Sequence, residues 1–311
     1  MKALAESLLA DQKEPTAEKN KIEGGWLYLV STPIGNLADL SERAIKVLSE
    51  VDFIAAEDTR NSVKLLHHIG VKKPMVSYFE HNKRQRGEEI TARILRGESC
   101  ALVTDAGTPA ISDPGEDIVR LASSLGIPVT AVPGCCAAID ALALSALATG
   151  RFAFEGFLST AKNERRTRLE EIKKEMRTMI FYEAPHKLLG TLEDLYATFG
   201  KRRLTLCREL TKKNEEIIYT TTEGALTLYR EKQPRGEYVL VLEGAFEASG
   251  GRITSETDEE SERLLTLSPQ EHVAHYESEG FSRMDAIKKA AKDRSMSKSE
   301  FYRLVCAEAK E

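Results

Sequence analysis

Between Cys100 and Gly115 the chain reads C-A-L-V-T-D-A-G-T-P-A-I-S-D-P-G, an apolar run that stops abruptly in a turn built from Gly107, Pro109, Pro114 and Gly115. The pattern predicts a buried strand over Cys100–Thr104 that releases its backbone amides at its carboxyl end. Gly107 removes the side chain that would block a ligand there, and Pro109 fixes the turn. In open α/β sheets, ligands sit in the crevice outside such carboxyl ends. A lone Gly-Pro turn is equally an ordinary strand-to-helix loop, so its company decides.

Two further corners share the design. The apolar run Trp26–Ser31 leads into T-P-I-G-N-L and then a helix start at Ser41, and Val129–Val132 leads into P-G-C-C-A-A. Three strand ends with small or proline-bent tips imply one shared crevice. No G-x-G-x-x-G follows the first strand and no G-x-x-x-x-G-K-[ST] occurs, so neither a Rossmann dinucleotide site nor a P-loop is supported.

Together with the later F-Y-E-A-P-H at Phe181–His186, these strings resemble the tetrapyrrole methylase superfamily of S-adenosylmethionine-dependent methyltransferases. Within it, the chain is similar to the ribosomal RNA small subunit methyltransferase I family from about Gly25 to Lys310. The resemblance implies a two-domain α/β fold of the tetrapyrrole-methylase type (class III methyltransferase) with a small C-terminal all-helical module. It further implies homodimers, a cytoplasmic location and 2′-O-methylation of a cytidine in the decoding region of 16S rRNA within the small subunit. The cofactor positions it carries over are Ile34 in the first loop, Ala106, Gly107, Thr108 and Ile111 in the central one, Cys136 and Ala137 in the third, and Glu183 and Thr220 further on. Two departures stand out: Cys135-Cys136 replaces the common Pro-Ser, and Phe157-Leu158-Ser159 stands where F-L-P is frequent.

Composition is compatible with that picture. A net charge of −5 over 311 residues excludes a uniformly basic coat, so any RNA contact must be a local patch. The five cysteines form no C-x-x-C pair, which favours a reducing compartment and no metal site. Residues 1–24 are rich in Lys and Glu, with room for a short helix near Ala3–Leu9 but no apolar stretch long enough for a signal peptide. Nothing later approaches the ~20 apolar residues of a membrane helix.

Alternating apolar runs and helical stripes predict strands over Trp26–Ser31, Phe53–Ala56, Met75–Tyr78, Cys100–Thr104 and Val129–Val132, with helices between them and a last one over Cys135–Ala148. That is a mainly parallel sheet covered on both faces. A second unit starts with strand Phe152–Phe157, a charged helix Asn163–Arg177 and strand Thr178–Tyr182. A helix over His186–Phe199, strands Arg203–Cys207 and Glu216–Thr220, a helix Glu223–Glu231 and strand Tyr238–Glu243 complete it. Its last three strands have one helix among them, so this sheet is expected to be mixed. The resulting division is an extension over 1–24, α/β domains over 25–150 and 151–245, a linker with the acidic run Glu256–Glu262 over 246–267, and a helix-turn-helix-like module over 268–311.

Three helix starts mark that module: capping-box spacing at Ser268-Pro269-Gln270-Glu271 and Ser297-Lys298-Ser299-Glu300, and a related pattern at Ser282. Eight Lys or Arg against four Asp or Glu between Arg283 and Lys310 form a local basic excess. Lys288 and Lys292 are its candidate phosphate contacts, positioning RNA without reading bases. A solvated helical cap is the plainer alternative. Lys162, Arg165, Arg166 and Arg168 are a second candidate grip on phosphates.

For methyl transfer to a ribose hydroxyl, a proton acceptor is needed at a strand end. Glu57-Asp58-Thr59-Arg60 and Arg208-Glu209 supply the candidates Asp58, Arg60 and Glu209, with structural ion pairing as the alternative for each. His186, following Pro185, reads as a capping or surface histidine. Two other functions remain open at this stage. A tetrapyrrole or corrinoid methylase would show G-x-G-P-G-D in the first loop and no basic tail, and a non-catalytic ribosome-binding protein on the same fold would draw support from Cys135-Cys136.

Overall fold

The computed structural model describes residues 21–248, 264–294 and 296–307. The helix expected near Ala3–Leu9 and the acidic run Glu256–Glu262 lie outside the described residues. The chain forms two compact units, one up to Gly244 and one from Ala245 onward.

The first unit holds two five-stranded sheets. In the first sheet, β1 (Leu27–Val30), β2 (Phe53–Ala56), β3 (Met75–Ser77), β4 (Cys100–Val103) and β5 (Val129–Val132) lie in the order β3-β2-β4-β1-β5, every pairing parallel. All residues of β2 and β4 are buried, because helices cover both faces. On one face Val47, Leu48 and Leu66 of α1 (Glu42–Glu50) and α2 (Thr59–His68) meet Tyr28, Ile54 and Val103. On the other, Ile90, Ile94 and Ile118 of α3 (Lys83–Leu95) and α4 (Gly115–Ser124) meet Leu27, Phe53 and Leu102.

The second sheet, β6 (Phe152–Phe157), β7 (Thr178–Glu183), β8 (Arg203–Arg208), β9 (Glu216–Thr221) and β10 (Tyr238–Leu242), runs in the order β6-β7-β10-β8-β9. It is mixed as expected: β6 and β7 are parallel, while β10 is antiparallel to both β7 and β8, and β9 to β8. One face carries α6 (Lys162–Glu171), α7 (Pro185–Phe199) and α8 (Thr222–Glu231). The other packs Ile180, Cys207 and Val239 against Ala138, Ala141 and Leu142 of α5 (Ala137–Leu144). α5, which follows β5 of the first sheet, thus packs on the second.

Two helices are shorter than their apolar stripes predict. α5 stops at Leu144, where Ser145 caps it and Ala146 takes a positive φ of 56°. α6 stops at Glu171 because Ile172 turns inward to join the core against β7, and Glu175 bonds back to Ile172.

The second unit packs helices α9 (Pro269–Ser278), α10 (Arg283–Asp293) and α11 (Lys298–Ala307) around Val273, Ile287, Ala290, Phe301 and Val305. Each starts at its sequence-marked serine. Ser268 and Glu271 make a full capping box, and Ser282 and Ser297 accept from the backbone amides of Asp285 and Glu300. No helix among the described residues is long and apolar enough to cross a membrane.

Candidate functional site

The three corners are knitted to one another. Thr32 and Gly107 exchange backbone hydrogen bonds at 2.9 and 3.1 Å, joining the loop after β1 to the loop after β4. Ser31 Oγ and Thr108 Oγ1 lie 3.0 Å apart, and Thr108 Oγ1 donates to the Cys135 carbonyl at 3.0 Å, tying in the loop after β5. Gly134 is needed there, since a Cβ would come within 2.8 Å of Ser31 Cβ. Gly107 sits at φ +85°, a conformation that costs an L-residue about 1–2 kcal/mol.

These loops and the rim of the second sheet enclose a cavity of about 520 Å3. Ile34, Ala106, Gly107, Thr108, Ile111, Cys136, Ala137 and Glu183 all line it, so eight of the nine sequence-derived cofactor positions come together. Thr220 does not. The register of β8 and β9 puts it opposite Leu204, while the end of that sheet facing the cavity is marked by Arg208 and Glu216. Glu183 reaches the wall with its carboxylate already engaged: Oε2 accepts from Thr191 Oγ1 at 2.5 Å and Oε1 from the Ala184 amide at 2.9 Å, anchoring the start of α7. His186 also lines the cavity, at the first turn of α7.

The wall is apolar at Ile34, Ile111, Phe157, Leu210 and Val239, and polar or charged residues line much of the rest. Asp113 is the most telling of them. Its Oδ1 accepts from the amides of Ala110 and Gly115 at 3.0 and 2.7 Å, while Oδ2 is buried with no partner. The loop it closes carries positive φ at Ala110 and Ser112, the kind of backbone strain that clusters at ligand clamps. An orphaned acceptor costs on the order of 1–3 kcal/mol, which a donor on a ligand relieves.

Of the carboxylates singled out for catalysis, neither Asp58 nor Glu209 is free. Asp58 does not line the cavity. It caps α2 and forms a two-pronged pair with the exposed Arg60, at 3.0 and 2.7 Å, which holds its pKa down to about 2. Glu209 does line the cavity, but Lys212 Nζ at 2.9 Å and the Glu237 amide at 2.9 Å hold it. Burial pushes its pKa up, yet these hydrogen bonds and the charge of Lys212 prevail and leave it lowered. Both are therefore weak bases.

The carboxylates at the mouth between β2 and β4 differ. Asp105 and Glu57 both line the cavity. Glu57 Oε2 accepts from Thr104 Oγ1 at 2.6 Å. Asp105 has only long contacts, from the Asp58 amide at 3.2 Å and Asn61 Nδ2 at 3.3 Å, and desolvation together with the charge of Glu57 raises its pKa. The sequence marks Asp105 only as the residue before Ala106-Gly107; the sharing of one mouth with Glu57 is set by strand order.

The basic residues expected to grip RNA separate into two groups. Arg165 and Arg166 both bind the buried Asp194, and Arg168 binds Glu155 and Glu171, so these arginines hold α6 to the second sheet and α7. Lys162, Lys288 and Lys292 are exposed, with no side-chain partner among the described residues. No group of three or more His, Cys, Asp or Glu among the described residues is placed to hold a metal ion.

Comparison with known proteins supplies the lineage. The profile of the family described as Tetrapyrrole (Corrin/Porphyrin) Methylases matches residues 26–227. The Ribosomal RNA small subunit methyltransferase I of Halalkalibacterium halodurans is 44% identical over 292 residues, covering 94% of this chain and 98% of the relative. That of Bacillus subtilis is 46% identical over 282 residues, covering 91% and 94%. Among solved structures, a uroporphyrin-III-C-methyltransferase from Thermus thermophilus superposes with a TM-score of 0.51 at 20% identity, covering 74% of this chain and all of the other. A cobalt precorrin-4 methyltransferase gives 0.53 at 15%, covering 70% and 95%, a likeness of fold. By profile and by near-full-length identity alike, the chain belongs to the tetrapyrrole methylases and, within them, to the ribosomal RNA small subunit methyltransferase I family.

Proposed function

We propose that this chain is an S-adenosylmethionine-dependent methyltransferase acting on 16S rRNA in the small ribosomal subunit, and that its target is the 2′-hydroxyl of a cytidine in the decoding region. The full-length likeness to relatives named as small subunit rRNA methyltransferases carries the reading. The cavity at the three knitted corners supports it.

The residues fit the cofactor. The volume suits a nucleoside with an amino-acid tail, the apolar wall suits an adenine, and the orphaned Asp113 Oδ2 suits a hydroxyl or ammonium donor. Ile34, Ala106, Gly107, Thr108, Ile111, Cys136 and Ala137 would hold it largely through backbone groups and small side chains, with Glu183 as a structural wall. When bound, S-adenosylmethionine supplies an electrophilic methyl group on a sulfonium. The protein's part is to place the ribose oxygen in line, exclude water and take up the hydroxyl proton. Asp105 is the acceptor we assign, because it faces the cavity with weak partners and a raised pKa, whereas Asp58 and Glu209 are held by cations. Glu57 keeps that proton affinity high through its own charge.

We further assign two α/β domains meeting near Gly150–Arg151, a helical module that docks the subunit through Lys288 and Lys292, and a homodimer in the cytoplasm. Exposed Ile139, Leu144 and Tyr219 support the dimer, and Tyr219 on the edge strand β9 donates to the Leu144 carbonyl. The deciding experiment incubates the chain with labelled cofactor and small subunits that lack their own 2′-O modification, then identifies the nucleoside. A 2′-O-methylated cytidine is expected. A base-methylated product, or labelling of a tetrapyrrole instead, overturns the reading.

A further inference from the structure

A second, smaller cavity of about 270 Å3 lies on the rim of the second sheet, lined by Arg208, Lys232, Gln233, Arg235 and Tyr238. Strand alternation places its two sheet residues, Arg208 and Tyr238, on the α8 face of that sheet. Cys207 and Val239 point toward α5, so Arg208 and Tyr238, each one residue away, point to the α8 side, where Tyr238 packs edge-on against Tyr229. The two cavities are nonetheless adjacent. Tyr238 lines both, and Arg208 is followed by the cleft residue Glu209.

Its lining carries three cations and no carboxylate. Glu216 is the counter-charge paired with them among the described residues, 3.4 Å from Arg208 and 3.9 Å from Lys232. Arg235 has no side-chain partner among those residues. The group therefore keeps an excess of two positive charges on a chain whose net charge is −5. Arg208 is also pre-organised, its Nε donating to the Arg235 carbonyl at 2.6 Å. A guanidinium held in place at Arg208 and an uncommitted one at Arg235, beside a flexible ammonium and an amide, are the chemistry that recognises phosphate oxygens. The arginines of α6 are less available, because the buried Asp194 and Glu155 hold them at 2.7–2.9 Å, whereas Glu216 is a longer and more exposed partner for Arg208.

We propose that this cavity binds a phosphodiester group of the RNA strand whose ribose enters the cleft. Resting on the rRNA methylation reading, it assigns the neighbouring phosphate to a place: a ribose turned into the cleft carries a phosphate on each side, and the rim at Tyr238 is where the strand crosses. The role of the site is to fix the register of the substrate.

The test uses the full chain and a 5′-labelled single-stranded oligoribonucleotide, with binding followed by fluorescence anisotropy across a salt series. The double variant Lys232→Gln with Arg235→Gln should weaken binding about tenfold at low salt and flatten the dependence of log K on log salt by roughly 0.7 for each phosphate that the protein no longer neutralises. Lys201→Gln, which removes an exposed cation in the loop before β8 that pairs with Glu223 of α8, should leave that slope unchanged. Calorimetric affinity for S-adenosylmethionine should be the same in all three proteins. Unaltered affinity and slope in the double variant overturn the proposal, as does an equal loss in Lys201→Gln or a wild type that does not bind the oligonucleotide. Methylation of small subunits by the same wild-type preparation separately decides the reading of the reaction.

Discussion

Arg165 is locked onto Asp194: its Nε and Nη2 lie 2.8 and 2.7 Å from the same carboxylate oxygen, and only 3% of that aspartate side chain is exposed. Arg166 takes the other oxygen at 2.9 Å. A pair this buried belongs to the scaffold, and removing one partner strands the other. Asp194→Ala should destabilise the first unit by about 3 kcal/mol, read by urea unfolding. Burial acts to raise the Asp194 pKa, but the hydrogen bonds from Arg166 and Arg165 outweigh it and leave it lowered. The stabilisation is therefore complete above about pH 4 and lost as pH falls through the lowered value. In Asp194→Asn that acid limb should flatten.

Gly107→Val should abolish cofactor binding in a folded protein. A Cβ at this corner meets Ile34 Cγ2 at 3.4 Å and the Cys135 carbonyl at 3.6 Å, so the branched methyls must go into the walls or the cavity. The positive φ adds about 1–2 kcal/mol of strain, small against the stability of a unit this size. Calorimetry with S-adenosylmethionine checks it, and unchanged affinity would remove the corner from the site.

Much of this site was legible because it is built at strand ends. Apolar runs cut off by Gly107, Pro109 and Gly134 identify the loops, since period and breaker residues are local properties. What sits opposite what is not local. Thr220 lies at the carboxyl end of its strand as Glu183 does, yet the antiparallel register of β8 and β9 carries it to the far end of the sheet. Arg165, Arg166 and Arg168 read as a basic helix face, but Asp194 and Glu155 arrive from α7 and β6 to neutralise them. Asp105 and Glu57 meet only because β2 and β4 are neighbours in the sheet. Charge partners across elements are tertiary facts, and no spacing in the chain encodes them.

Asp105→Asn should lower turnover by ~10²-fold or more, with cofactor affinity kept. Asp58→Asn and Glu209→Gln should cost less. The base must be ionised, so the rate should rise with pH through the Asp105 pKa, which desolvation and the Glu57 charge place above the ordinary carboxylate value. Glu57→Gln should move that limb to lower pH. Single-turnover rates over a pH series measure both shifts, and a limb that stays in place in Glu57→Gln would detach Asp105 from the chemistry.

The second unit should loosen in mild acid. His272 is fully buried, and its Nδ1 accepts from Arg294 Nε at 3.1 Å, an arrangement only the neutral ring allows. Burial and then the Arg294 charge lower its pKa. The unfolded chain takes up the proton near pH 6.5 while the folded one resists, so stability present above about pH 6.5 falls as pH drops toward the lowered folded value. Hydrogen exchange of α9–α11 amides at pH 7.5 and 5.5 should show the loss, and His272→Phe should reduce it.

Deleting 264–311 should cripple methylation of the small subunit without emptying the cofactor site. Every residue of the cleft lies before Gly244, in the first compact unit, and α9–α11 have a separate core around Ile287 and Phe301. On the proposed reading the cofactor should not need that module, whereas the polyanionic substrate should. Lys288 and Lys292 stand exposed on α10, with Lys298 and Arg303 exposed on α11, a cluster of cations on a separable body. Lys288→Glu with Lys292→Glu should therefore weaken subunit binding and reduce its salt dependence in filter-binding assays, while calorimetric affinity for S-adenosylmethionine stays at the wild-type value. A truncated chain that methylates subunits as fast as the full one would reduce α9–α11 to a cap and leave Lys162 and the rim cations Arg208, Lys232 and Arg235 as candidate grips on the RNA.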